Sequence, residues 1–189
     1  MRKRLEMIKN NTGSALMVVM IAIAFIGILG MTVMGLAYTN LRLKTMDNQA
    51  RSNFYSAESA VEEIKAGLAE LSSRAIKIAH EEQLQGFTES TSSERTENLK
   101  NTYFNTLKDS IKLSTNPDKY DAAKLQSYTS KTGVTVVDFS ADVATSRGAI
   151  IMDSVNATMT LKNVRVEYVN NGLLSSITTD IVIGLPSTE

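Results

Sequence analysis

The sequence predicts an α+β protein in which a long N-terminal α-helix packs against a C-terminal antiparallel β-sheet. Three observations carry this. Residues 10–41 hold no charged side chain. Apolar and small residues then recur at helical spacing as far as Ile78. Beyond Gly133 the pattern changes to a period of two, with an Asn-Gly pair between the two clearest strand candidates.

The first element is apolar on every side. Ser14 to Tyr38 is 25 residues long, and Ser14 and Thr32 carry its only hydroxyls before the terminal tyrosine. At about 1.5 Å per residue, a helix of this length exceeds the roughly 30 Å hydrocarbon core of a bilayer. Soluble helices seldom run so far without a polar face, which makes a buried core helix the poorer reading. Arg2, Lys3, Arg4 and Lys9 precede the block, so the positive-inside rule keeps residues 1–13 in the cytoplasm and places the remainder outside. Tyr38 then falls at the far interface, where an amphipathic ring is well accommodated.

The helix is expected to continue. Leu43, Met46, Ala50, Phe54, Ala57, Val61, Ile64, Leu68, Leu71, Ala75 and Ile78 follow one another at spacings of three and four. No proline occurs before Pro117, and Gly67 is the one glycine between Gly35 and Gly86. A single helix from about Ser14 toward Gln83 satisfies these constraints, apolar all round over 14–38 and striped over 39–83. Three alanines in the stripe argue against a sustained coiled coil. Gly27, Gly30 and Gly35 are three and five residues apart, which is not the spacing of a tight glycine-mediated membrane dimer.

Residues 84–189 form an α+β head in this reading. Gln83 to Asn98 is rich in Ser, Thr and Glu and is expected to be a loop. Leu99, Tyr103, Leu107 and Ile111 mark a short helix, Asn116-Pro117-Asp118 a turn, and Tyr120 to Tyr128 a further helical stretch. Strands are expected after Gly133 and over Ala149–Met152. Two longer ones flank Asn171-Gly172, the strongest short-range hairpin signal. Ala157, Met159 and Leu161 alternate on odd positions whereas Val164, Val166 and Tyr168 alternate on even ones, so a bulge or bend is expected at Lys162-Asn163. The sheet's apolar face needs a cover, and the striped helix supplies one.

Composition narrows the function. The chain has 20 basic and 20 acidic residues; without the five charged residues of the leader, 16 basic and 19 acidic remain, a net of −3. A nucleic-acid surface would need clustered Lys and Arg, so no nucleic-acid partner is expected. With no cysteine, disulfides and thiolate metal sites are ruled out. His80, the one histidine, sits among Lys77, Glu81 and Glu82 and reads as a solvated surface residue. Asp138, Asp142 and Asp153 lack calcium-loop spacing, and no phosphate-binding glycine motif occurs. No catalytic, metal or cofactor site is predicted.

A basic leader ending in glycine, then a small residue, an apolar run and its amphipathic continuation together resemble a type IV prepilin. The similarity is greatest to PilX-like minor pilins and related pseudopilins. Phe54-Tyr55-Ser56-Ala57-Glu58-Ser59-Ala60 is similar to the alanine- and glutamate-containing stretch found at this point of pilin helices. The resemblance covers about residues 2–70 and implies a structural subunit rather than an enzyme. It implies that a membrane-bound prepilin peptidase cuts between Gly13 and Ser14 and methylates the new N-terminus. It further implies that membrane lipid, other pilin subunits and the pilus assembly machinery are the partners.

One departure is informative. Major pilins usually carry Glu at the fifth mature position, where this chain has Val18, and Phe or Met at the first, where it has Ser14. In the family that carboxylate is thought to meet the N-terminal amine of a neighbouring subunit, and a charge in lipid is costly unless paired. Its absence resembles subunits at a filament tip or in low copy. Three other readings share parts of this pattern. One is a secretion or competence pseudopilin, which differs only in the machine served. Another is an uncleaved single-pass membrane protein with an extracellular ligand- or protein-binding domain. The last is a secreted protein cut after Ala37.

Overall fold

The computed structural model describes residues 2–85, 91–142 and 146–185, with side chains described from Ser14 onward. Within it, the chain has a long N-terminal apolar helix and a C-terminal open antiparallel sheet, an α+β layout. Two compact units are present, Met1–Gln49 and Ala50–Glu189.

Helix α1 spans Arg2–Gln85. It begins in the leader rather than near Ser14, because nothing there stops it: proline is absent, and a lone Gly13 costs a helix only about 1 kcal/mol relative to alanine. Helix α2 spans Ser92–Ile111, so Ser92 to Asn98 is helical where a loop is expected. The signal was present in the sequence as Thr91-Ser92-Ser93-Glu94, a capping box. The Glu94 amide donates to Thr91 Oγ1 at 3.4 Å, and the Thr91 amide donates to Glu94 Oε2 at 2.8 Å. The remaining part of that expected loop, residues 86–90, lies outside the described residues. Helix α3 covers Ala122–Gln126, with Asp121 as its N-cap.

The sheet is organised around β3 (Thr158–Asn170), which pairs antiparallel with every other strand. Strand β4 (Leu173–Gly184) runs along one side of it. Strands β1 (Val134–Val136) and β2 (Ile150–Asp153) lie end to end along the other, β1 against Val166–Tyr168 and β2 against Thr158–Leu161. Asn171 and Gly172 connect β3 to β4 with φ of 50° and 75°. Both central residues therefore take the left-handed conformation that a type I′ hairpin demands.

The expected bulge is present. Leu161 pairs with Ile181 and Val164 with Thr179, so Lys162 and Asn163 oppose Asp180 alone. Asn163 adopts φ 54°, and Asp180 holds the extra residue by accepting from the Asn163 amide at 2.8 Å and from Lys162 Nζ at 2.7 Å. The bulge changes the parity of β3, so Met159, Leu161, Val164 and Val166 all become buried on one face.

That face meets α1 and α2 in one core. Ala60, Val61, Ile64, Leu68, Ala75 and Ala79 of α1 pack with Tyr103, Phe104, Leu107 and Ile111 of α2 and with Ile181 and Ile183 of β4. The buried polar side chains of Ser72, Tyr103 and Lys119 are partnered. Tyr103 donates its hydroxyl to Gly184 O at 3.0 Å and lies 2.7 Å from Ser72 Oγ, joining α1, α2 and β4 at one point. Burial raises the pKa of this phenol, so it stays a neutral donor. Lys119, 5% exposed, donates to the carbonyls of Phe139 and Asp142.

Candidate membrane and assembly segment

Residues 14–48 of α1 are all solvent-exposed in the isolated chain, including large apolar side chains. Leu16, Ile23, Phe25, Ile28 and Met31 are each more than half exposed, and no heavy atom approaches within 4 Å of where a Cβ would sit on Gly27, Gly30 or Gly35. A helix pairs its backbone amides within the one segment, as a segment crossing lipid alone requires. The threonine hydroxyls of this segment are satisfied by the helix itself. Thr32 donates to Ile28 O at 2.9 Å, Thr39 to Gly35 O at 2.9 Å and Thr45 to Leu41 O at 2.9 Å. By length and composition this is one helix that could cross a membrane.

The three residues singled out from the sequence lie together on this segment. Gly13 falls within the continuous helix, Ser14 is exposed, and Val18 is 64% exposed. No charged side chain lies between Asn10 and Leu41.

The stripe beyond the apolar block divides in two. Ala57, Val61, Ile64, Leu68 and Ala75 are buried against the head, whereas Leu43, Met46 and Phe54 remain 60%, 45% and 48% exposed. At position 53 the expected pattern is displaced by one residue: Asn53 is buried and Phe54 is not. Asn53 Nδ2 donates to Leu173 O at 3.1 Å and to Asn170 O at 3.5 Å, clipping the helix to the base of the β3–β4 hairpin. A polar residue inside an apolar stripe was the available signal for this contact. At the other end Ala79 is buried in place of Ile78.

Elsewhere, His80 is exposed, and the described residues bring no three His, Asp or Glu side chains together as a metal site. A cleft of about 490 Å³ lies between α2 and the β2–β3 turn, lined by Glu97, Lys100, Phe104 and Asp153 among others. Asp153 is committed locally: its carboxylate accepts from Asn156 Nδ2 at 2.6 Å and from the Val155 and Asn156 amides, which hold its pKa below the usual value. No protein-family model, curated protein or solved structure matches the chain.

Proposed function

We propose that the chain is a structural subunit of a type IV pilus or related filament, a minor pilin or initiation pseudopilin matured by cleavage after Gly13. The observation that carries this reading is apolar surface that continues past the membrane. A plain anchor needs about 20 apolar residues. Here Leu43, Met46, Phe54 and Tyr55 stay exposed beyond Tyr38. A filament of equivalent helices would cover both stretches: lipid solvates the 14–38 half before assembly, and neighbouring helices replace lipid afterwards. The N-terminus is cytoplasmic and the head extracellular in this scheme, as the basic leader favours. Lacking a carboxylate, Val18 suits a subunit that need not accept the terminal amine of a neighbour, which points to a tip or low-copy position.

The deciding experiment is mass spectrometry of the mature N-terminus, from cells with and without prepilin peptidase. The expected mature chain starts at Ser14 and is N-methylated only when the peptidase is present. An intact Met1, or a start at Tyr38, overturns the proposal. Gly13→Ala is expected to abolish maturation and assembly while the protein still fractionates with membranes.

A further inference from the structure

The two edges of the sheet are treated differently. On the β1 side the main chain is capped by a side-chain amide: Gln126 Nε2 donates to Val134 O at 3.1 Å, and its Oε1 accepts from the Val136 amide at 2.6 Å. At β2, the Ile150 amide donates to Asp118 O at 2.8 Å, and Lys119 forms a bridge to Ala149. Both strands on that side are also short, another way of blunting an edge. Beyond Leu173, whose carbonyl accepts from Asn53, strand β4 has no such protection among the described residues. It is 12 residues long, pairs among the described residues with β3 alone, and contains no Lys, Arg or Pro. Its one charge, Asp180, is turned to the bulge on β3.

The hairpin fixes which β4 groups are free. In a two-residue hairpin the closing pair, Asn170 and Leu173, exchanges both bonds. The amides and carbonyls of Leu174, Ser176 and Thr178 therefore point away from β3. Beside this edge lie two clefts shared with α1. One, about 170 Å³, is lined by Phe54, Glu58, Val61 and Ile177; the other, about 350 Å³, by Leu68, Ala69, Ile181 and Ile183. Lys65 borders both and is paired with Glu62 at 2.7 Å. Glu58 is exposed and has no ion-pair partner among the described residues.

From this geometry we infer that the β4 edge is a docking site for an extended segment of a different protein chain, added as a further antiparallel or parallel strand. Its backbone completes the free ladder, its alternate apolar side chains fill the two clefts, and a basic residue at the hairpin end meets Glu58. A second copy is the poorer occupant: its other edge is already capped and cannot be offered head to tail, and a second β4 strand, which contains no Lys or Arg, brings no cation to Glu58. The inference stands independently of the pilin reading and of cleavage at Gly13.

The test uses the full-length chain in detergent micelles and a synthetic nine-residue peptide of alternating valine and threonine with one lysine near an end. Binding is followed by fluorescence anisotropy of a label on the peptide. Thr178→Pro deletes an outward amide without touching the β3 ladder, a substitution edge strands tolerate; its circular dichroism melt is expected to match the parent. Peptide affinity is expected to fall at least tenfold in Thr178→Pro. Glu58→Lys is expected to weaken the lysine peptide severalfold and to favour the same peptide carrying glutamate. No binding by the parent chain, equal binding by folded Thr178→Pro, or an edge already closed by self-association that Thr178→Pro abolishes would each overturn the inference.

Discussion

Helix α1 contains two apolar stretches in opposite surroundings, one apolar on every side and the other along a single stripe. From Leu16 to Leu36 every large apolar side chain is exposed, whereas Ala57, Val61, Ile64 and Leu68 are 4% exposed or less. Both the amount of apolar surface and its arrangement around the helix separate them. An apolar residue at every azimuth leaves the first stretch no polar side for water. Apolar residues on one azimuth leave the rest of the circumference to Glu, Lys and Arg, and the second stretch is satisfied by a sheet.

The comparison breaks most sharply by truncating one leucine in each half. Leu68→Ala empties a fully packed position shared with α2 and the sheet, and is expected to destabilise the head by about 2–5 kcal/mol. Leu29, 49% exposed, touches no core; Leu29→Ala is expected to leave the head's stability unchanged. Unfolding of the full chain in micelles by denaturant, followed by tyrosine fluorescence because no tryptophan is present, measures both. Equal losses in the two variants would show that the halves share one folding unit.

A smaller effect is expected where the helix is pressed closest to the head. A Cβ on Gly67 would lie 2.5 Å from Cγ and 2.8 Å from Cβ of Tyr128, near the root of that side chain rather than its flexible end. Alanine normally favours a helix over glycine by about 1 kcal/mol. Overpacking costs about 1–3 kcal/mol and outweighs it here. Gly67→Ala is therefore expected to destabilise by about 1 kcal/mol, while Gly27→Ala and Gly30→Ala, with open space around them, leave the head's melting temperature unmoved. A stabilised Gly67→Ala would mean that Tyr128 moves aside freely.

Much of this arrangement could be read from residues alone, and the misreadings have a common cause. The hairpin and the bulge were legible because Asn171-Gly172 and the odd-to-even change after Leu161 are backbone requirements written in residue type. The stripe was legible at its middle and not at its ends. Positions chosen at alternating spacings of three and four average 3.5 residues per turn, whereas a straight helix turns at 3.6, so the two drift by about 20° per heptad. They agree between Ala57 and Leu68 and diverge to Asn53 instead of Phe54 and to Ala79 instead of Ile78. The contacts that carry the most specific information were not legible. Gln126 closing β1, and Asn53 reaching the carbonyls of the hairpin, join residues separated by 8 to 120 positions through groups that any loop residue could offer.

The smallest expected effect concerns the polar side of the striped half. Glu63 accepts from Thr129 Oγ1 at 2.9 Å and from the Ser130 amide at 3.1 Å, and these bonds, the hydroxyl first, hold its pKa below the ordinary 4.5. Asp180 is held below its ordinary 3.8 by the Asn163 amide and by Lys162. For a carboxyl whose folded pKa is lowered, the stabilisation is complete above the unfolded value and is lost as pH falls through the folded one. The head is therefore expected to keep its stability down to about pH 5 and to lose it progressively below the ordinary carboxyl range. Glu63→Gln retains an acceptor oxygen but removes the titration. Its stability plotted against pH should decline less steeply than the parent's below pH 4.5, by a modest margin because the carboxylate is solvent-screened. The apolar half, without a titratable group between Asn10 and Tyr38, contributes nothing to that slope. A variant as acid-sensitive as the parent would shift the acid response from Glu63 on the helix to Asp180 at the bulge of the sheet.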